Sequence, residues 1–278
     1  MSYCFLCFPN FKRKALTVSY DDGVTADERL VEIFNKYQIK GTFNLNSGLF
    51  SQAELGRIDL ERALSLYLPN GHEVAAHGFK HLRLTDLGAA AAADEILTDV
   101  KNLETVFGVP IIGMAYAWGD YDGSAVEILK CSGIKYARTT HPTESFLLPK
   151  DWLRLEPTCH HTNPKLMELA RRFVEEPAPS YPWGAPWLFY LWGHSYEFDD
   201  NKNWGLLEEF CRYVSERNDV WYATNGEIYR YVQAYDRLEF SACGNFVYNP
   251  SAQDVYIEYF GRKYCVRAGG MQVLDQPR

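Results

Sequence analysis

Three short clusters carry side chains able to bind a metal ion and move protons. The first is Tyr20-Asp21-Asp22-Gly23. Adjacent carboxylates at a strand end point in different directions, so one can bind a cation while the other handles a proton. The second is His77-Gly78-Phe79-Lys80-His81. Two histidines four apart lie on the same side of one helical turn, a spacing used to bind zinc. With Asp22 they would offer one oxygen and two nitrogen ligands and leave positions open for water and substrate. That is the pattern of a catalytic zinc site, not a closed structural one. The third cluster is Leu191-Trp192-Gly193-His194. A histidine at a strand end could protonate a leaving amine, because its unperturbed pKa of about 6.5 suits that task. Taken singly, each cluster also has an ordinary reading: a turn of solvated acids, two surface histidines at chance spacing, a buried structural histidine. His72, just before the third strand, reads as a surface or supporting residue.

The clusters fall where strands should end. Short apolar runs at Ala15–Tyr20, Thr42–Asn46, Glu73–His77, Ile111–Ala117, Ile134–Thr139, Trp187–His194 and Val220–Thr224 alternate with amphipathic segments. Leu30, Ile33, Phe34 and Tyr37 share one helical face, as do Ile96, Val100, Leu103 and Phe107. Turn signals at Asn70-Gly71, Gly108 with Pro110, and Ser132-Gly133 separate the units. Repeated β-then-α units imply a parallel sheet, and seven of them predict an α/β fold, an incomplete or distorted (β/α)7 barrel rather than an eight-fold one. In such barrels active sites sit at the C-terminal ends of the strands. The stretch Pro142–Pro186 is irregular and proline-rich, and a loop of that length is expected to wall the substrate cleft. It holds His160 and His161, each considered for a substrate role. Beyond about Arg237, runs at Glu239–Tyr248, Asp254–Tyr259, Lys263–Arg267 and Gln272–Leu274 predict a small C-terminal β extension. The expected division is residues 1–237 for the barrel and 238–278 for the extension, packed on the barrel or at a homo-oligomer contact.

A chain of 278 residues, 47% hydrophobic, can bury a full core. Its formal net charge of -8 argues against nucleic acid or an anionic membrane as the main partner. No apolar run approaches the roughly 18 residues needed to span a bilayer. The short aromatic N-terminus precedes Lys12, Arg13 and Lys14, the reverse of a secretory signal's order, so a cytoplasmic location is expected. Seven scattered cysteines suit reduced thiols, and the lone Cys4/Cys7 pair has no second pair beside it.

In combination, Asp-Asp-Gly, H-x-x-x-H and L-x-x-H along a β/α array resemble the polysaccharide deacetylase family over roughly Lys14 to Tyr235. That family includes chitin, chitooligosaccharide, peptidoglycan and acetylxylan deacetylases, and the resemblance independently implies a distorted barrel of about seven strands. It implies Asp21 as general base, Asp22, His77 and His81 as ligands of a divalent metal, and His194 as general acid. The metal expected is Zn2+, with Co2+, Ni2+ or Mn2+ as substitutes. A backbone N–H from the Trp118–Tyr121 loop would stabilise the oxyanion. The chain departs from the family where its third motif runs Arg-x-Pro-Tyr-Gly: here Met114-Ala115-Tyr116-Ala117-Trp118-Gly119-Asp120-Tyr121-Asp122 puts Ala115 at the Arg position. Arg138, at the end of the fifth strand, is the candidate to position Asp21 instead. Asp151-Trp152 is similar to the end of the family's fourth motif but follows a longer insertion. Trp118, Tyr121, Trp152 and Trp192 are the expected substrate contacts, and Trp183 and Trp204 are further candidates for the cleft.

The expected activity is metal-dependent removal of acetyl groups, N-acetyl foremost, from a carbohydrate or small acetylated sugar derivative. Two other readings stay open at this point. Relatives of these deacetylases hydrolyse cyclic amides or ureides, some of them without metal, and a catalytically inactive carbohydrate-binding homologue would keep the same fold.

Overall fold

The structure, a computed structural model, describes residues 3–180, 182 and 184–275. The strands are β1 (Cys4–Cys7), β2 (Lys14–Asp21), β3 (Gly41–Leu45), β4 (Glu73–Ala76), β5 (Gly113–Ala115), β6 (Tyr136–Arg138), β7 (Cys159–His160), β8 (Trp187–Gly193) and β9 (Val220–Tyr222). They are followed by β10 (Glu239–Phe240), β11 (Phe246–Tyr248), β12 (Val255–Tyr259), β13 (Arg262–Val266) and β14 (Met271–Val273).

The seven predicted barrel strands are all present and all parallel, in the order β6-β5-β4-β3-β2-β8-β7 with β9 beside β2. Every residue of β2 is buried, as expected of the central strand of a sheet covered on both faces. One edge of β2 pairs with β8 from Lys14 to Tyr20; the other pairs with β9 at Lys14–Leu16 and then with β3 at Val18–Asp21. The helix Asp27–Lys36 buries Leu30, Ile33 and Phe34, and the helix Ala89–Phe107 buries Ile96, Val100, Leu103 and Phe107. Gly108, at φ 68°, ends the latter in the left-handed conformation glycine tolerates best.

The stretch from Pro142 to Pro186 departs from expectation. Among the described residues, none of those lining the cavity at the strand ends comes from it. It instead closes the ring: Leu155 bridges β6 at Arg138, and Thr158 N and His161 N donate to Tyr190 O and Trp192 O of β8. The two-residue β7 within it had no sequence counterpart.

Beyond the barrel lie two three-stranded antiparallel sheets, β1-β12-β13 and β10-β11-β14. The run predicted as one strand at Glu239–Tyr248 is two, β10 and β11, paired as a hairpin. β1 also joins this region, pairing with β12 from Cys4↔Tyr259 to Cys7↔Tyr256. Val247, Val255, Ile257 and Val266 form a small core with Ala234 and Leu238 at the end of the last barrel helix. Tyr231 fastens the junction, donating its hydroxyl to Cys7 O and accepting from Tyr256 N. All seven cysteines are free thiols. No described helix is long and apolar enough to cross a membrane.

Candidate metal-hydrolase site

The C-terminal ends of β2, β4, β5, β6 and β8 converge on a cavity of about 430 Å3. Asp21, Asp22, His77, His81, Trp118, Trp192 and His194 line it, joined by Arg57, Tyr116, Gly119, Thr140 and Tyr196. The three sequence clusters are therefore one site.

Asp21 is buried at the last residue of β2. Asn44 Nδ2 donates to its Oδ1 over 2.8 Å, and Arg138 Nη2 donates to its Oδ2. His77 Nε2 and His194 Nε2 each stand 3.8 Å from that same Oδ2. Burial pushes the Asp21 carboxyl up, but Arg138, His77 and His194 outweigh it and hold the group below the usual carboxylate range. Arg138 is itself buried, its guanidinium 4.1 Å over the Trp192 ring. The cation absent from the Ala115 position thus reaches Asp21 from β6.

Asp22 takes φ 84°, His81 φ 59° and Trp118 φ 62°. A left-handed conformation costs a non-glycine residue roughly 1–2 kcal/mol. Three such residues in one cavity mark backbone strained to aim side chains. Asp22 Oδ1 lies 3.7 Å from His81 Nε2. His77 and His81 face each other with their Nε2 atoms 3.2 Å apart. His77 Nδ1 donates to Ala115 O over 2.9 Å, which fixes the tautomer and leaves the Nε2 lone pair inward. Burial lowers the His77 ring, and burial with His77 lowers His81 to about 4, so both rings are neutral at pH 7. Asp99 anchors the His77 loop, accepting from Ser47 N at 2.7 Å and His77 N at 3.0 Å. Burial pushes the Asp99 carboxyl up to about 7.

These residues fit a divalent transition ion. Asp22 Oδ1 is buried without a hydrogen-bond partner, although Arg57 Nη1 passes 2.9 Å away out of line. Asp22, His77 and His81 offer ligand atoms within 4.8 Å of one another. One carboxylate and two imidazoles make an open coordination set suited to zinc.

His194 follows β8 and is held from behind: its Nδ1 pairs with Glu197 Oε1 at 3.2 Å while its Nε2 faces Asp21. Burial pulls this ring down, but Glu197, Asp21 and Asp22 win and raise it above its ordinary value. Burial pushes Glu197 up, yet the imidazoles of His160, His161 and His194 hold it below the carboxylate range. Ser195, next in line, donates to Asp27 Oδ1 over 2.5 Å, and Tyr67 donates to Asp27 Oδ2 over 2.7 Å.

Of the predicted substrate contacts, Trp118 and Trp192 line the cavity and two do not. Tyr121 stacks on Tyr116 at 4.9 Å instead. Trp152 packs edge-on to Tyr229 at 5.2 Å, beneath the barrel's closing segment. Trp204 packs on Phe198 in the core, and Trp183 lies outside the described residues. In the Trp118–Tyr121 loop, Gly119 N and Asp120 N donate to Tyr116 O and Ala117 O, which occupies two of the expected oxyanion donors. His72 is a buried supporting residue whose Nδ1 accepts from Gly41 N. Arg57, Tyr196 and Glu197 had not been anticipated. A histidine and a glutamate three residues apart on a helical turn could have flagged Glu197.

Residues 9–137 match the polysaccharide deacetylase family. Over 114 residues the chain is 27% identical to a peptidoglycan deacetylase of Helicobacter pylori, a match covering 41% of this chain and 36% of that relative. Among solved structures, a polysaccharide deacetylase-like protein from Mycobacterium smegmatis superposes with a TM-score of 0.57 at 20% identity, over 83% of this chain and 94% of the other. The Xyl-CE4 domain of a multidomain xylanase from the hindgut metagenome of Trinervitermes trinervoides gives 0.54 at 12% identity, over 80% and 92%. The sequence match falls on the segment that supplies Asp21, Asp22, His77 and His81, so residues 9–137 are similar to the polysaccharide deacetylase family, and the fold is shared with these solved proteins over about four fifths of the chain.

Proposed function

We propose that this protein is a metal-dependent hydrolase that removes acetyl groups, N-acetyl foremost, from a carbohydrate or a small acetylated sugar. The observation that carries this reading is the convergence of Asp21, Asp22, His77, His81 and His194 on one cavity. Asp22, His77 and His81 would hold the divalent ion. When bound, the ion supplies Lewis-acid polarisation and a low-pKa water.

The chain's own residues divide the proton work. Asp21, kept ionised by Arg138 against burial, is a base held in fixed orientation by Asn44 and Arg138. It accepts a proton from the attacking water. His194, whose raised pKa favours the protonated ring, delivers a proton from Nε2 to the leaving nitrogen. Glu197 fixes the ring by holding Nδ1. The half-exposed Trp118 ring at the rim offers a flat apolar face to a pyranose, steadied by its Nε1 donating to His81 O.

The test is acetate release from N-acetylated chitooligosaccharides, acetylated xylooligosaccharides and N-acetylated monosaccharides. Zinc-loaded wild type should release acetate from at least one, and Asp21→Asn should retain its metal and release none. Absence of acetate from every substrate with the metal bound would overturn the reading.

A further inference from the structure

A second group of metal-binding side chains lies behind His194. His160 Nε2 and His161 Nε2 stand 3.2 and 2.9 Å from Glu197 Oε2, and the three offer one ligand atom each within 4.8 Å of one another. A tetrahedral zinc ion with bonds near 2.0–2.1 Å spaces its ligand atoms about 3.3 Å apart, so little movement separates these distances from coordination.

Proximity alone would also suit a hydrogen-bonded cluster, but the alignment does not. His161 is 1% exposed, and neither ring nitrogen has a hydrogen-bond partner. Glu197 Oε2 is also buried and unpartnered, although His161 Nε2 is only 2.9 Å away. Close ligand atoms that are out of line keep their lone pairs for a third party. Asp22 Oδ1 shows the same feature in the first site. Leaving buried polar atoms unpaired is unfavourable, and a bound cation would relieve it.

The surroundings are also built for this ligand set. An added Cβ on Gly193 would stand 1.9 Å from His161 Nδ1, so the glycine makes room for the ring. His160 Nδ1 lies 2.7 Å from Thr162 Oγ1, the kind of outer contact that orients a ligating imidazole. Only the His160 and Glu197 side chains reach solvent, at 20% and 24% exposure, leaving an entry path and room for water.

We propose that His160, His161 and Glu197 form a second, inhibitory binding site for a borderline divalent transition ion such as Zn2+. Glu197 is the link to the first site, since its Oε1 holds His194 Nδ1. An ion on Oε2 draws the carboxylate toward the two histidines and releases the His194 ring. Excess zinc should therefore slow the reaction without displacing the first ion. This inhibitory arm rests on the deacetylase reading; the binding arm does not.

The experiment is a calorimetric zinc titration of the full chain carrying His77→Ala and His81→Ala, which lacks the first site. One equivalent should still bind. Adding His160→Gln should abolish that binding, as should Glu197→Gln in its place, with circular dichroism checking that each variant is folded. In active protein loaded at the first site, excess zinc should lower the acetate-release rate several-fold. In His160→Gln the ratio of rates with and without excess zinc should return to one. The site is overturned if the double variant binds no zinc, or if both further substitutions leave its binding intact. If zinc binds as described but excess zinc does not slow an active enzyme, the inhibitory role is overturned. If no acetylated substrate turns over, the binding arm still decides the site.

Discussion

Arg138→Met removes one member of a buried ion pair while keeping an unbranched side chain of similar length. Arg138 and Asp21 have side chains only 1% and 3% exposed, so the remaining carboxylate has no water to replace its partner. Breaking a buried pair costs about 3–5 kcal/mol, a fall in Tm of roughly 6–10 °C at about 2 °C per kcal/mol. The sign with pH follows from Asp21. Its native pKa lies below the usual range, so the pair's contribution is complete above the unfolded value near 3.9 and is lost as pH falls through the depressed one. Without Arg138 the Asp21 carboxyl loses its largest lowering influence and rises, so acid destabilisation begins at higher pH and the base is protonated over more of the acid range. Activity should fall sharply, its acid limb moving to higher pH, while metal content stays intact. Adding Asp21→Asn should restore much of the Tm but no activity. Lys36→Ala, which removes an exposed pair with Glu208, is the control and should leave Tm essentially unchanged. The assay is thermal unfolding across pH alongside the kcat/KM profile. A variant with wild-type Tm and turnover would refute the role of Arg138.

Glu197→Gln should move the basic limb of the kcat/KM profile to lower pH: His194 is raised by Glu197, so its proton is now kept above the ordinary value of about 6.5 and lost as pH climbs through the raised one. An unchanged basic limb would remove Glu197 from the acid's support. Trp118→Ala should raise KM for oligosaccharides more than for a monosaccharide, with metal content and Tm unchanged, because the ring is 59% exposed; equal KM changes would argue against a stacking role. Gly193→Ala drives a Cβ into the His161 ring and should cost about 1–3 kcal/mol by chemical denaturation.

The barrel was readable because its seven strands are apolar runs bounded by turns, and its helices carry apolar faces such as Ile96, Val100, Leu103 and Phe107. The site was readable because each cluster ends a strand. What was hidden depends on contacts distant in sequence. β1 resembles an aromatic tail until β12, some 250 residues later, pairs with it. The two residues of β7 are too few for periodicity, so the closing role of Leu155–His160 could not emerge from pattern. Tyr121 and Trp152 have the right composition for sugar contacts, yet their rings pack on Tyr116 and Tyr229. Arg57 carries no spacing signal at all. Asp99 does, as an acid on the buried face of the helix Ala89–Phe107 beside Ile96, Val100 and Leu103.

The most direct test of the metal centre is diffraction from crystals of the zinc-loaded protein on both sides of the zinc absorption edge. The strongest anomalous peak should lie at Asp22 Oδ1, His77 Nε2 and His81 Nε2, with a weaker one at His160, His161 and Glu197 in excess zinc. No peak among Asp22, His77 and His81 in crystals with zinc bound elsewhere would contradict this placement.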